Sequence, residues 1–94
     1  MKIRTKINNV NFTIEFTEDE RNDYDGITWN NKKLMRIKSS LPFEEKLSTM
    51  FHEWLHVWNN HFGMGLEEHH IRFIECAFRD FYVNFIEKYL DKLR

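Results

Sequence analysis

The sequence contains few of the residues that break or cross-link a chain: one cysteine, one proline and three glycines among 94 residues. A single cysteine excludes an intrachain disulfide framework and fits a reducing compartment, so we expect a cytoplasmic protein. The sequence also lacks a signal peptide and an apolar run of the length that a membrane span requires, so we expect no membrane partner. A formal net charge of −1 gives no overall field that would attract nucleic acid, and no nucleic-acid partner is expected.

Apolar and aromatic residues, in contrast, are plentiful for a chain of this size. Hydrophobic residues make up 41% of the sequence and aromatic residues 16%, which supplies the apolar area that a small core needs. The chain shows neither internal repeats nor a long linker. We therefore expect residues 1–94 to fold as one domain.

The first part of the chain shows the alternation of apolar and polar residues that is typical of short strands. Asn8 and Asn9 are suited to turn a hairpin between the first two strands, and residues 18–26 are predicted to form a polar loop. We expect the fourth strand, which carries several basic residues, to lie at the edge of the sheet. The predicted strands cover residues 3–10, 10–16, 27–29 and 34–38.

Two helices are predicted after the strands. The first covers about 43 to 61, after Pro42, and ends at Gly63 and Gly65; the second covers about 66 to 92. So short a connection makes the two helices antiparallel neighbours. The expected fold is therefore α+β, with a small antiparallel or mixed sheet of three or four strands followed by two antiparallel helices.

Residues 52–56 read HEWLH, in the middle of the first predicted helix. Histidines at positions i and i+4 share one helix face and can converge on a metal ion. Glu53 beside them can accept a proton from metal-activated water instead of ligating. A helical wheel places His52, Glu53 and His56 on the polar side of the helix. The alternative to a metal site is therefore an ordinary exposed polar face. The predicted core face consists of Leu47, Phe51, Trp54, Leu55, Trp58 and Phe62.

A catalytic zinc ion usually has three protein ligands, and we expect the third to come from the second helix. Glu75 lies about level with the motif and beside an apolar stripe, where a carboxylate needs a partner. Glu75 is therefore the first candidate and His70 the second; a solvated or Arg-paired carboxylate is the alternative for Glu75. His61 falls on the far side of the first helix, and Cys76 is expected to be a small buried residue. The predicted stripe consists of Ile71, Ile74, Phe78, Phe81 and Phe85.

Residues 26–85 resemble the small HExxH zinc metallopeptidases of phages and bacterial mobile elements, relatives of the ImmA/IrrE group. The likeness lies in the strands GITW and LMRIK, the helix LPFEEKLSTMFHEWLH, and the next helix FIECAFRDF, on which that family places a glutamate. HEWLH is the sharp motif among these. The resemblance implies a minimal zincin-like fold, with zinc bound by His52, His56 and Glu75 and with Glu53 as the base.

The sequence also departs from that family. Val57 and Trp58 are bulky where the family commonly has a small residue after the second histidine. Arg79 stands where larger enzymes with a glutamate ligand often have an aspartate that holds a ligand histidine. The outer partner of the two histidines is therefore unassigned from the sequence.

These features together predict a zinc-dependent metallopeptidase that acts on a protein or peptide. Tyr82, Tyr89 or a loop histidine is a candidate for a second electrophile. The strand at 34–38 is expected to pair with an extended substrate, and its basic residues to favour an acidic peptide. The alternative function is a zinc-stapled protein-binding module, such as a phage or mobile-element regulator or antirepressor, with little or no peptidase activity. A third possibility is a metal-free fold in which the motif is accidental.

Overall fold

A computed structural model of the chain describes residues 1–18 and 24–94, so part of the predicted polar loop lies outside the described residues. The α+β prediction is confirmed, because a four-stranded mixed sheet is followed by antiparallel helices. The elements are β1 (Lys2–Ile7), β2 (Val10–Thr17), β3 (Gly26–Trp29), β4 (Leu34–Lys38), α1 (Phe43–Phe62), α2 (Glu68–Phe81), a π-helical turn (Tyr82–Ile86) and α3 (Glu87–Leu93).

The sheet has the strand order β1-β2-β4-β3. β1 and β2 form an antiparallel hairpin, β2 and β4 are parallel, and β3 is antiparallel to β4. The hairpin turn requires positive φ at both central residues, which asparagine tolerates better than most residues. Asn8 and Asn9 adopt φ values of 48° and 64° there, which confirms the predicted hairpin.

The prediction that β4 lies at the edge of the sheet is wrong. β4 is hydrogen-bonded to β2 on one side and to β3 on the other, and the two edge strands are β1 and β3. The basic residue Arg36 of β4 alternates with Met35 and Ile37, which are 0% and 1% exposed. Because successive side chains point to opposite faces of a strand, the charges lie on the open face of the sheet and do not indicate an edge.

α1 packs across the other face of the sheet. Trp54 of the predicted core face packs against the sheet core, but the most buried residues of α1 lie outside that face. Val57 is fully buried and Glu53 is 6% exposed, whereas Trp58 and Phe62 are 37% and 55% exposed. The wheel assumes one apolar neighbour, but α1 contacts both the sheet and α2. Phe51 of the predicted face serves the second contact, since its ring stacks on Phe78 of α2 at 4.2 Å.

α2 runs antiparallel to α1 and is anchored mainly near its beginning. Ile71 is 1% exposed, as its place in the predicted stripe requires, but Ile74 and Phe81 of that stripe are 38% and 52% exposed. The prediction that Cys76 is buried is also wrong, because its side chain is exposed. α3 packs mainly against the π-helical turn, and its first residue, Glu87, shares a side-chain hydrogen bond with Glu44 of α1.

No helix in the described part of the chain combines the length and the apolar character that crossing a membrane would require.

Candidate metal centre

The two histidines of the motif lie side by side on α1, as their spacing predicts. His52 Nε2 and His56 Nε2 are 3.2 Å apart. The side chain of His52 is 13% exposed and that of His56 is 33% exposed. Two atoms bound at about 2.0–2.1 Å to a tetrahedral zinc ion lie about 3.3 Å apart. The separation of the two nitrogens therefore matches that of two ligands of one ion.

Glu53 points towards the sheet, and not along a polar face as the wheel implied. Thr28 Oγ1 of β3 donates a hydrogen bond to Glu53 Oε1 at 2.8 Å. The other carboxylate oxygen, Oε2, is 4.0 Å from His52 Nε2. A buried carboxylate is costly unless it is hydrogen-bonded, so Thr28 both satisfies this side chain and fixes which oxygen faces the histidines.

Gly26 of β3 allows α1 to approach the edge strand closely. A Cβ atom at this position would lie 2.7 Å from Thr49 Cγ2 and 3.1 Å from Glu53 Cγ. Such contacts are closer than van der Waals distance, so any side chain at position 26 would push α1 away from β3. The missing side chain thus places Glu53 within reach of Thr28.

The first residue of α2, Glu68, brings a carboxylate to both histidines. Glu68 Oε1 is 2.7 Å from His52 Nε2, and Glu68 Oε2 is 3.2 Å from His56 Nε2. The side chain is 49% exposed, and it contacts the same pair of nitrogens that face each other. Its partner on α2 itself is Arg72, whose Nε lies 3.7 Å away.

Glu75, the expected third ligand, contacts His52 from the opposite side of the ring. Its Oε1 is 2.6 Å from His52 Nδ1, slightly shorter than the ~2.7–2.9 Å of a charge-assisted hydrogen bond between nitrogen and oxygen. The structure thus brings Glu75 to the motif, as the antiparallel arrangement predicts. It brings Glu75 to the nitrogen that points away from His56, however, and the ligand role of Glu75 stays a prediction.

The remaining histidines lie away from this centre and have other partners. His70, the second candidate ligand, accepts a hydrogen bond from the backbone N–H of Glu67 at 3.0 Å and so caps the start of α2. His61 lies at 3.4 Å from Asn8 at the hairpin turn, on the far side of α1 as predicted. The side chain of His69 is 61% exposed.

An open cleft of about 960 Å³ lies between β3 and the two helices, with the histidines in its wall. Gly26, Ile27 and Thr28 line it from the sheet edge, and Arg72 lines it from α2. Neither Tyr82 nor Tyr89, the proposed second electrophiles, is among the lining residues of the described chain. Tyr82 instead packs on Phe43 at 6.2 Å between ring centroids.

Sequence reasoning missed Glu68 and Thr28. The short connection between the two antiparallel helices was the clue to Glu68. Asn59 hydrogen-bonds to Leu66 across this connection, so the residues shortly after 66 are level with His56. From the sequence alone, Glu68 is no more than a favourable charge at the start of a helix. Thr28 had no signal, because the order of the strands decides which hydroxyl meets Glu53.

The residues of the motif fit a metal ion. One ligand atom each from His52, Glu53 and His56 lie within 4.8 Å of one another, so this group could hold an ion. Two imidazole nitrogens with a carboxylate form a donor set that zinc commonly takes, although imidazole and carboxylate ligands also suit other divalent metals. The distances do not identify the metal.

Comparisons with protein-family models, with curated proteins and with solved structures found no match for this chain.

Proposed function

We propose that the protein is a zinc-dependent metallopeptidase that uses the HEWLH motif of α1. The observation that carries the proposal is the arrangement around His52: its Nε2 is 3.2 Å from the Nε2 of His56 and 4.0 Å from a buried oxygen of Glu53. The first distance is that of two co-ligands, and the second leaves room for a water molecule beside Glu53. If the histidines were only part of an ordinary polar helix surface, nothing would require the glutamate beside them to be buried.

His52 and His56 hold the ion in this proposal, with a glutamate from α2 completing the set. A zinc ion held there would supply the Lewis acidity that polarises a carbonyl and activates water at neutral pH. Glu53 Oε2 faces the site, and it takes the proton of the attacking water and passes it to the leaving amine. Thr28 keeps the other oxygen of Glu53 occupied, so that one oxygen is reserved for proton transfer.

The edge strand β3 provides a template for an extended peptide. β3 lines the cleft beside the histidines, and an edge strand offers unpaired backbone groups to a substrate by strand addition. Asn30 also lines the cleft, directly after the last residue of β3. The sequence GITW of β3 carries no charge, so the expected preference for acidic peptides has lost its basis.

The test compares two matched Glu→Gln variants on a mixture of peptides from a digested lysate, with new termini identified by mass spectrometry. Glu53→Gln is expected to keep its zinc and to lose at least about 100-fold in cleavage rate, the usual contribution of a general base. Glu87→Gln, on α3 and far from the cleft, should cleave like the unmodified protein. Cleavage by Glu53→Gln at the unmodified rate would contradict the proposal.

A zinc-stapled binding module is the second candidate, and the exposed apolar side chains of the helices favour it. Phe73, Phe81 and Leu93 are 75%, 52% and 66% exposed, and apolar side chains left exposed on helices are available for contact with a partner protein. A structural zinc site has no use for Glu53 as a base. This candidate therefore predicts zinc binding, no cleavage by the unmodified protein, and an unchanged biological effect of Glu53→Gln.

The resemblance to the ImmA/IrrE relatives, a phage or mobile-element origin, the cytoplasmic location and the lack of a nucleic-acid partner stay predictions.

A further inference from the structure

Two glutamates of α2 contact the same imidazole from opposite sides. Glu68 lies at His52 Nε2, 2.7 Å away, and Glu75 lies at His52 Nδ1, 2.6 Å away. An imidazole that binds a metal through one nitrogen uses the other to donate a hydrogen bond, most often to a carboxylate or a carbonyl. When His52 binds a metal, one glutamate can therefore be a fellow ligand and the other a hydrogen-bond partner. The position of His56 distinguishes the two.

His56 lies on the Glu68 side of the ring. Its Nε2 is 3.2 Å from His52 Nε2 and 3.2 Å from Glu68 Oε2. The two imidazole nitrogens and the carboxylate of Glu68 thus face one another, with a different carboxylate oxygen near each nitrogen. A proton can be shared by only two of these three groups at a time, whereas a divalent cation between them satisfies all three. The separations of 3.2 Å are close to the ligand spacing of about 3.3 Å around tetrahedral zinc.

The Glu68 side chain is also free to adjust to such an ion. It is 49% exposed, and its close contact of 2.7 Å to His52 Nε2 is the one distance shorter than ligand spacing. A small rotation of an exposed glutamate relieves this contact without moving the backbone of α2.

Glu75 meets His52 where no ion can be shared with His56. Its side chain is 25% exposed, so the contact is partly shielded from water. An ionised carboxylate only accepts hydrogen bonds. With an ion at Nε2, the Nδ1–H of His52 would donate to Glu75, and this contact would fix the orientation of the ring.

We propose that Glu68 is the third metal ligand and that Glu75 is a positioning residue that orients His52 and fixes its tautomer. This inference rests on the proposed metal site and gives each carboxylate a separate role. Glu53, held by Thr28, acts on the attacking water; Glu68 binds the ion; Glu75 holds His52. This proposal differs from the prediction from sequence, in which Glu75 is the ligand.

The test measures zinc affinity of the full chain by competition with a chromogenic chelator, for the unmodified protein and for three Glu→Gln variants. Glu68→Gln is expected to weaken zinc binding by more than about 100-fold, beyond what an outer hydrogen-bond partner contributes, and Glu75→Gln by about 10-fold. Glu87→Gln is the matched control and should bind like the unmodified protein. Circular dichroism of each metal-free variant verifies that the fold is intact.

Cobalt(II) substitution provides a readout that a loss of stability would not change. Four-coordinate cobalt absorbs visible light far more strongly than six-coordinate cobalt. Glu75→Gln should retain the intense absorption of the unmodified protein, because the ligands are unchanged. Glu68→Gln should lose it, and Glu68→His, which restores a ligand, should regain it.

Two results would overturn this assignment while the proposed hydrolysis stands. One is a larger loss of zinc affinity and cobalt absorption in Glu75→Gln than in Glu68→Gln. The other is zinc binding by Glu68→Gln that equals that of Glu87→Gln. Both results concern the metal ligands, whereas the proposed hydrolysis depends on Glu53 and is tested separately by cleavage. An unmodified protein that binds no zinc would overturn both proposals together.

Discussion

The two surfaces that α1 shares with its neighbours are built differently. Against the sheet, α1 buries Val57 completely beside fully buried Met35, and Gly26 allows close approach. Against α2, the contacts include two glutamates on histidines and the Phe51–Phe78 ring stack, and Ile71 is the one buried residue of α2. The motif thus sits on a firmly packed base, while the carboxylates that contact its histidines lie on a lightly anchored helix.

A small domain can therefore hold some residues of one site on a rigid element and the others on an adjustable element. His52, Glu53 and His56 are fixed by the packing of α1 on the sheet. Glu68 belongs to a helix with little apolar surface buried in the described chain, so its position depends on polar contacts. In our account a bound ion joins the two surfaces and stabilises α2 more than it stabilises the sheet.

The largest expected effect on the free energy of unfolding is that of Met35→Ala, which is compared with a second methionine substitution. Met35→Ala removes a fully buried side chain between the sheet and α1 and should lower the free energy of unfolding by about 2–5 kcal/mol. Met64→Ala, in the connection between α1 and α2, where the side chain is 44% exposed, should change it by less than about 0.5 kcal/mol. Urea denaturation measures both, and equal effects would remove the contrast between the two surfaces.

Zinc itself should stabilise the weaker surface. At a free concentration of about 100 times its dissociation constant, a ligand that binds only the folded state adds about 2.7 kcal/mol to stability. We expect the added protection to be greatest in α2, which metal binding would fasten to α1. Amide hydrogen exchange with and without zinc measures this distribution. Slower exchange confined to the sheet, with α2 unchanged, would show that no residue of α2 binds the ion.

The close approach at Gly26 can be tested by adding and then removing one methyl group. Gly26→Ala places Cβ 2.7 Å from Thr49 Cγ2 and should destabilise the protein by about 1–3 kcal/mol, as overpacking typically does. Thr49→Ser removes that methyl group, so the double variant should recover part of the loss. If the double variant recovers none of the lost stability in thermal or urea unfolding, then the Thr49 contact is not the reason for glycine at position 26.

The smallest expected effect lies on the open face of the sheet, away from both surfaces of α1. A hydrogen bond from Arg36 Nε to Glu15 Oε2 at 3.0 Å lowers the pKa of Glu15 below its ordinary value of 4.5. A carboxyl with a lowered folded-state pKa stabilises the protein above its unfolded-state pKa, and this contribution is lost as pH falls through the folded-state value.

The corresponding measurement compares the unmodified protein with Glu15→Gln in urea. The difference in unfolding free energy between them should be small and constant from neutral pH down to about 4.5, and should shrink below that value. A difference that grows on acidification would contradict this pKa direction. Zinc binding should be the same in both proteins, because Glu15 lies on the opposite face of the sheet from α1.

Much of the fold could be predicted from local sequence patterns. The strands, the Asn8-Asn9 turn and the helix end at Gly63 follow from alternation and from residues that tolerate positive φ, and the structure confirms them. The position of β4 inside the sheet could not be predicted, because it depends on the pairing of distant strands. The charge of Arg36 misled the prediction, since it reflects the exposed face of the strand and not its edge.

The site could be predicted as far as one helix determines it. The spacing of His52 and His56 follows from helix geometry alone, and their nitrogens do converge. The burial of Glu53 could not be predicted, because it requires a second neighbour of α1 that the wheel did not include. The contacts of Glu68 and Glu75 depend on the register of α2 against α1, and rotamers decide which ring nitrogen each carboxylate reaches.

The most direct test of the central claim is the zinc content of the protein after equilibrium dialysis, measured by elemental analysis. The unmodified protein should hold one zinc ion per chain, and so should His69→Ala, whose histidine lies outside the centre. His52→Ala and His56→Ala, each verified as folded by circular dichroism, should hold no zinc. A full complement of zinc in either of the last two variants would contradict a metal centre built on these two histidines.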